Sequence, residues 1–171
     1  PFASEIQLTK VDRTDMMSVL GNYNNQVFKV HTMTFTSCKL IDLFWKNWTP
    51  FQQLNELNFY NCYGSIKVIA NLPALTGINL DSCKFSLKVI TNLPELQDLI
   101  ITHGEHSTKP IKLKSISHLP KLQSLYIDCD NCIQAISDLP SMEQIYMKAP
   151  KLRHLGNLPN LTYLKLSHSC L

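Results

Sequence analysis

The chain has 171 residues, of which 44% are hydrophobic, and its formal net charge is +3 at neutral pH. This length and apolar fraction predict one domain with a single core. The 16 Lys and Arg residues are scattered along the sequence and nearly balanced by 13 acids, which argues against nucleic acid as a partner. No run of eighteen apolar residues is present, so insertion into a membrane is not expected.

Residues 1–53 are the less regular part of the chain. Residues 12–23 place an acid and a Thr ahead of an apolar run that Gly21 follows, which predicts a short helix. Residues 39–48 carry Leu40, Leu43 and Phe44 at helical spacing and predict a second helix. We therefore expect helices on the outer face of the first units.

Residues 54–171 contain six rungs with one apolar spacing. Leu54, Leu57 and Phe59 set offsets of three and five residues, and the same offsets recur five times. The later rungs begin at Leu75, Leu96, Leu122, Met142 and Leu161. Weaker copies lie upstream, at Val30, Met33 and Phe35 and, more degenerate, at Ile6, Leu8 and Val11. Alternating apolar residues predict one short strand per unit with one buried face.

A Leu-Pro pair closes each of five units, and its proline stands two residues before the first apolar residue of the next rung. The pairs begin at Leu72, Leu93, Leu119, Leu139 and Leu158. Because proline cannot donate a ladder hydrogen bond, it ends regular structure at this point. One unit alone has no core, whereas stacked units bury the faces of their neighbours, so the repetition predicts a solenoid.

This pattern, L-x-x-L-x-L-x-x-C, resembles the leucine-rich repeat family, whose members carry Asn or Cys at the ninth position. The resemblance implies an α/β solenoid over residues 1–171, with a curved parallel sheet on the concave face and short helices or extended segments on the convex face. It also implies a non-catalytic module that binds another protein through the concave sheet. A host-directed effector, an immune sensor and an adaptor remain open as versions of that module.

Cys38, Cys62 and Cys83 occupy the ninth position and are expected to form a buried column of thiols that donate to backbone carbonyls. Reduced thiols favour an intracellular, cytoplasmic setting, although a protein delivered into a host cell fits equally. Disulfide pairing along the column is the alternative.

Catalytic motifs are missing from the sequence, which contains no nucleophile elbow, phosphate-binding loop or H-E-x-x-H. The chain is therefore not expected to be an enzyme, and no cofactor is expected except, as an alternative, zinc. His103 and His106 occupy the same two positions of their unit as Cys129 and Cys132 do in the next unit. Two nitrogens and two sulfurs on adjacent rungs suit tetrahedral zinc.

Side chains between the inward leucines point outward and give the candidate partner-binding residues. These are Tyr60, Asp98, Ile100, Tyr126, Asp128, Tyr146, Lys148, Tyr163 and Lys165. Tyrosines on consecutive rungs with mixed charge at the rim are typical of protein interfaces. The alternative is that these rings pack only on one another.

A structural subunit of a large assembly is the second functional hypothesis. It predicts burial of the convex face or the ends, including Trp45 and Trp48. The chain begins at Pro1 without Met and stops at Leu171 after a predicted strand, which suggests a longer parent protein.

Overall fold

A computed structural model describes residues 4–12, 29–40, 51–102, 111, 113–128, 133–148 and 151–167. Within these residues the protein is a parallel β-solenoid, in which every strand pairs in parallel with the strand of an adjacent unit. The predicted solenoid is confirmed at this level.

One large sheet contains eight strands, one from each unit, and we call it the front sheet. In spatial order the strands are β1 (Glu5–Thr9), β2 (Thr32–Thr36), β4 (Glu56–Tyr60), β7 (Gly77–Asp81), β9 (Asp98–Thr102), β11 (Ser124–Asp128), β13 (Gln144–Lys148) and β15 (Tyr163–Ser167). The register aligns Met33, Leu57, Ile78 and Leu99 across the first part of the sheet, as the rung spacing predicts.

The opposite segment of each unit forms shorter strands. These are β3 (Lys39–Leu40), β5 (Tyr63–Gly64), β6 (Val68–Ala70), β8 (Val89–Thr91), β10 (Ser115–Ile116), β12 (Ala135–Ser137) and β14 (His154–Gly156). They pair as β3–β5, β6–β8 and β10–β12–β14, all parallel. We call β6–β8 and β10–β12–β14 the back ladders.

Helices on the outer face are not found in the part of the chain that is described. Lys39 and Leu40, which open the second predicted helix, lie in strand β3, and Asp12 lies in no helix. The other residues of the two predicted helices, 13–23 and 41–48, lie outside the described residues. The α/β expectation is therefore replaced by an all-β solenoid where the structure is described. Units of about 20 residues are filled by a front strand, a back strand and two corners.

The core is one continuous apolar column between the front sheet and the back strands. Phe35 and Phe59 stack with ring centroids 5.1 Å apart, and Phe59 meets Phe85 edge to face at 5.4 Å. Front-strand residues alternate between buried and partly exposed, as in β4, where Leu57 and Phe59 are fully buried. Each rung thus supplies one layer of a shared core.

The Leu-Pro pairs form the turn that the sequence predicts. In each of the five units, the amide of the next rung's first apolar residue donates to the carbonyl of the Leu-Pro leucine, as from Leu75 to Leu72 at 3.3 Å. The residue before each pair has a positive φ, and these residues are Asn71, Asn92, His118, Asp138 and Asn157. Asn, Asp and His are the non-glycine residues that enter this left-handed region most readily.

No helix among the described residues is long and apolar enough to cross a membrane.

Candidate partner-binding face

Outward side chains of the front sheet form three columns, one per outward position of the strands. The middle column, from β7 onward, contains Asn79, Ile100, Tyr126, Tyr146 and Lys165. Lys148 and Asp128 share a second column with Thr102, and the register brings Tyr163 beside Gln144 in the third. Tyr163 is thus on the next rung after Tyr146 but one column away from the other two tyrosines.

Tyr126 and Tyr146 form a parallel stack. Their ring centroids are 4.6 Å apart and the ring planes differ by 3°. This separation matches the distance between neighbouring strands, roughly 4.8 Å, so the rings stack directly along the sheet. Lys165 Nζ lies 4.9 Å from the Tyr146 ring centroid and extends the stack by a cation–π contact.

The stack determines which parts of the rings a partner can touch. One face of each ring is covered by the other tyrosine, and Lys165 lies over Tyr146 on the next rung. Ile100 precedes Tyr126 in the same column. The ring edges and the phenol hydroxyls are therefore what the column presents to a partner, rather than open faces for a base or sugar to stack on.

The hydroxyl of Tyr126 keeps its proton at neutral pH. Partial burial raises its pKa, and the neighbouring Tyr146 and Asp128 raise it further. A protonated phenol can donate one hydrogen bond and accept others, so this edge suits recognition of polar groups.

Acidic side chains lie on the middle strands of the front sheet, with Glu56 in β4, Asp81 in β7 and Asp98 in β9. Glu56 Oε1 accepts a hydrogen bond from Thr76 Oγ1 at 3.4 Å, and its carboxylate lies over Gly77, where any Cβ would collide with it. Burial raises the pKa of Glu56, and the charge of Asp98, on the strand beyond Gly77, raises it further. Asp81 accepts hydrogen bonds from Ser82 Oγ and Thr102 Oγ1.

Tyr60 lies in the column of Asp81 and Asp128, away from the tyrosine stack. Its hydroxyl accepts a hydrogen bond from Asn79 Nδ2 at 3.4 Å. The structure therefore places the nine predicted partner-binding residues on one face, with a compact group at Tyr126, Tyr146 and Lys165.

The predicted zinc ligands, His103, His106, Cys129 and Cys132, lie outside the described residues. Thr102 directly precedes His103, and Asp128 directly precedes Cys129. Thr102 and Asp128 are in register across β9 and β11. Elsewhere in the described ranges, no group of three or more His, Cys, Asp or Glu side chains is arranged to hold a metal. The zinc set stays a prediction.

The cysteine column is buried and its thiols are free, as predicted. Cys62 Sγ donates to the carbonyls of Phe35 at 3.3 Å and Tyr60 at 3.4 Å. Cys83 Sγ does the same toward Phe59 and Asp81. Each thiol therefore links the corner of its own rung to the preceding rung.

Sequence reasoning missed a basic stripe on the back ladders. Lys67, Lys88, Lys114 and Arg153 each stand five residues before the leucine of a Leu-Pro pair, so they recur at one position of the unit. Gln134 fills that position in the remaining unit and accepts from the amide of Arg153 at 2.8 Å. The basic residues are therefore not scattered at this position of the unit. Counting from the Leu-Pro pairs would have revealed the stripe.

Comparisons with models of protein families, with curated proteins and with solved structures find no match.

Proposed function

We propose that this protein is a leucine-rich-repeat-type module that binds another protein through the outward face of its front sheet and has no catalysis of its own. The stacked pair Tyr126 and Tyr146, extended by Lys165, is the observation that carries this proposal. Tyrosine is enriched in protein interfaces because it offers large rigid area together with a hydroxyl.

The stack reduces the entropic cost of binding. Two parallel rings held by each other and by Lys165 are already ordered, so little side-chain freedom is left to lose when a partner docks. Their exposed edges carry two phenol hydroxyls, which suit the mixed polar surface of a protein.

Charges around the stack favour a partner with both signs on its surface. Asp98 and Asp128 lie on strands β9 and β11, whereas Lys148 and Lys165 lie on β13 and β15. A partner with basic groups toward β9 and acidic groups toward β15 would be complementary to this arrangement.

The repeat identity is supported by two local features. The Leu-Pro turns recur at one position, and the cysteine at the ninth position donates to backbone carbonyls where the chain leaves the front sheet. The back strands differ from the helical convex segments of many leucine-rich repeats. Three buried free thiols are consistent with an intracellular setting.

A structural subunit of a larger assembly is the second candidate. On the last described strand, β15, Leu164 is 45% exposed, whereas its register partner Ile145 is fully buried. An apolar residue exposed on the last described strand suits coverage by a further unit of the chain or by a neighbouring subunit. Trp45 and Trp48, which this hypothesis also invoked, lie outside the described residues.

A zinc-stabilised module is the third candidate, and metal content tests it directly. After exhaustive dialysis, the proposal requires about one equivalent of zinc per chain, held by His103, His106, Cys129 and Cys132. A Cys129→Ser, Cys132→Ser variant should lose the metal. Less than roughly a tenth of an equivalent in the wild type would dismiss the site.

The front-sheet proposal is tested with a matched pair of variants in affinity capture from the source cell. In Tyr126→Thr, Tyr146→Thr the stack is removed, while threonine keeps the preference for a strand. In the control, Thr34→Ala, Asn58→Ala, the same column is changed on strands β2 and β4. Both variants must first show the circular dichroism spectrum of the wild type.

A partner held by the wild type and the control but released by the tyrosine variant supports the proposal. Removing central aromatic anchors should weaken binding by at least about 30-fold, or roughly 2 kcal/mol. A partner that all three proteins retain places the interface elsewhere and favours the assembly subunit.

A further inference from the structure

We propose that the back ladders form a second interaction surface, which docks on membranes containing anionic phospholipids. This inference concerns a different face from the front sheet, because both faces bury their inward side chains in the same core. It rests on a row of basic residues, on the exposed apolar side chains beside them and on the lack of acidic residues in the same segments.

Basic residues recur at one position of both back ladders, although the uncharged Gln134 separates Lys114 from Arg153 in the second. The amide of Lys88 donates to the carbonyl of Lys67 at 2.9 Å, so these lysines stand on adjacent rungs. The amide of Gln134 donates to the carbonyl of Lys114, and that of Arg153 donates to the carbonyl of Gln134.

No acidic residue occurs among the described residues that form the back strands or lead into them. Residues 62–70, 83–91, 113–117, 133–137 and 151–156 contain no Asp or Glu. The outward positions of the front sheet, in contrast, carry both signs, with Glu56, Asp81, Asp98 and Asp128 as well as Lys148 and Lys165. The stacking of units therefore concentrates positive charge on one side of a chain whose total charge is only +3.

Exposed aliphatic side chains accompany the basic row. Val68 directly follows Lys67 and is 43% exposed, and Val89 directly follows Lys88 and is 41% exposed. The two valines are paired in register across β6 and β8. On the neighbouring β3–β5 ladder, Tyr63 is 48% exposed and pairs with Lys39.

This combination favours a lipid surface over a nucleic acid. Aliphatic side chains gain nothing from a phosphate backbone, whereas at a bilayer they enter the boundary between headgroups and acyl chains. A tyrosine next to lysines is also suited to that boundary, since its ring is apolar and its hydroxyl polar. The lysines would face the phosphates and carboxylates of anionic headgroups.

The test measures binding of the full chain to vesicles by flotation. One vesicle type is pure phosphatidylcholine and the other contains about 30% phosphatidylserine, the lipid that attracts basic segments. We expect binding to the second type only, and weaker binding as salt increases. Equal binding to both vesicles, or to neither, overturns the proposal.

Two charge variants with the same net change locate the surface. Lys88→Gln, Lys114→Gln removes two members of the basic row, and we expect about 25-fold weaker binding to the anionic vesicles, roughly fivefold per lysine. Lys29→Gln, Lys121→Gln removes two exposed lysines that precede front strands β2 and β11, and should change binding less than about twofold. Equal losses in both variants would mean that only net charge matters, and would also overturn the proposal.

A third variant separates lipid from nucleic acid. Val68→Thr, Val89→Thr keeps the shape and the strand preference but removes the apolar surface, so vesicle binding should fall roughly three- to fivefold. Its affinity for a duplex DNA probe should stay unchanged. If the wild type binds the duplex as tightly as the anionic vesicles and the valine variant binds vesicles normally, the surface is a nucleic-acid site instead.

Discussion

At the scale of single residues, the cysteine column contains three thiols that are buried in the folded protein. Burial raises the pKa of Cys38, and a hydrogen bond with Cys62 together with burial raises that of Cys83. A hydrogen bond with Cys83 lowers the pKa of Cys62, so the protection of this thiol rests on its complete burial. Because the thiolate is the reactive form and the reagent must reach it, we expect Cys38, Cys62 and Cys83 to resist iodoacetamide in the native protein at neutral pH, with Cys62 the first to react when the column opens. Peptide mass spectrometry after labelling, with a denatured sample as the control, measures this. Fast native labelling would show that the column opens or is not buried.

Glu56 makes stability depend on pH. Its folded-state pKa is raised above the ordinary value, about 4.3, by burial and by Asp98, so the folded state binds its proton more tightly than the unfolded state. Glu56 therefore contributes to folding stability at a pH below its ordinary pKa. This contribution is lost as the pH rises through the raised pKa of the folded state. Glu56→Gln should therefore gain stability relative to the wild type as the pH rises through that window. A constant difference between the two proteins across that range would contradict the raised pKa.

At the scale of one element, the corner before each Leu-Pro pair needs a residue that tolerates a positive φ. Asn92 has a φ of 54°, and its Nδ2 donates to Asn71 Oδ1 in the preceding unit. Asp138 stands at the equivalent corner of a later unit. Hydrogen bonds that its carboxylate accepts from Asn157 and Ser137 hold its pKa below the usual range. Side chains at these corners thus link neighbouring units as well as permit the turn.

Asn92→Val should destabilise the protein by about 1–2 kcal/mol, because a β-branched side chain is strained in the left-handed region. Asn92→Gly is the matched control, since it loses the same side-chain hydrogen bond but adopts a positive φ without strain. Chemical denaturation of both variants measures the difference. Equal stabilities would mean that this corner carries no conformational strain.

At the scale of the whole molecule, the solenoid should tolerate the loss of one complete unit. Deleting residues 75–95 joins Ala74 to Leu96 and removes 21 residues, one full period. Strand β4 would then meet β9, with Leu57 against Leu99 and Phe59 against Ile101. The shortened protein should unfold cooperatively, with a denaturant slope lower by about an eighth, since that slope scales with the buried surface.

Deleting residues 75–84 is the control, because it removes half a period and brings mismatched segments together. We expect this second variant not to fold. A folded half-period variant, or an unfolded full-period variant, would show that the units are not interchangeable layers.

The sequence predicted the strands and the core more fully than the back of each unit. Leu57 and Phe59 were placed correctly because their spacing of two fits one buried face of a strand. Leu40 was assigned to a helix because it stood at helical spacing with Leu43 and Phe44, yet it lies in a two-residue strand. A short apolar run does not by itself distinguish the 3.6-residue period of a helix from the two-residue period of a strand. Pairing with the neighbouring unit makes this segment a strand.

For the candidate sites, too, some features follow from the sequence and others only from the tertiary structure. The sequence by itself determined that the units stack, that Cys62 and its counterparts are buried, and that Tyr126 and Tyr146 share a column, because all three follow from a fixed period. Only the tertiary structure decided that the two rings are parallel and that the ammonium group of Lys165 lies over the Tyr146 ring. These facts depend on register and rotamer across residues about twenty positions apart, and stacking the units is what brings such residues together.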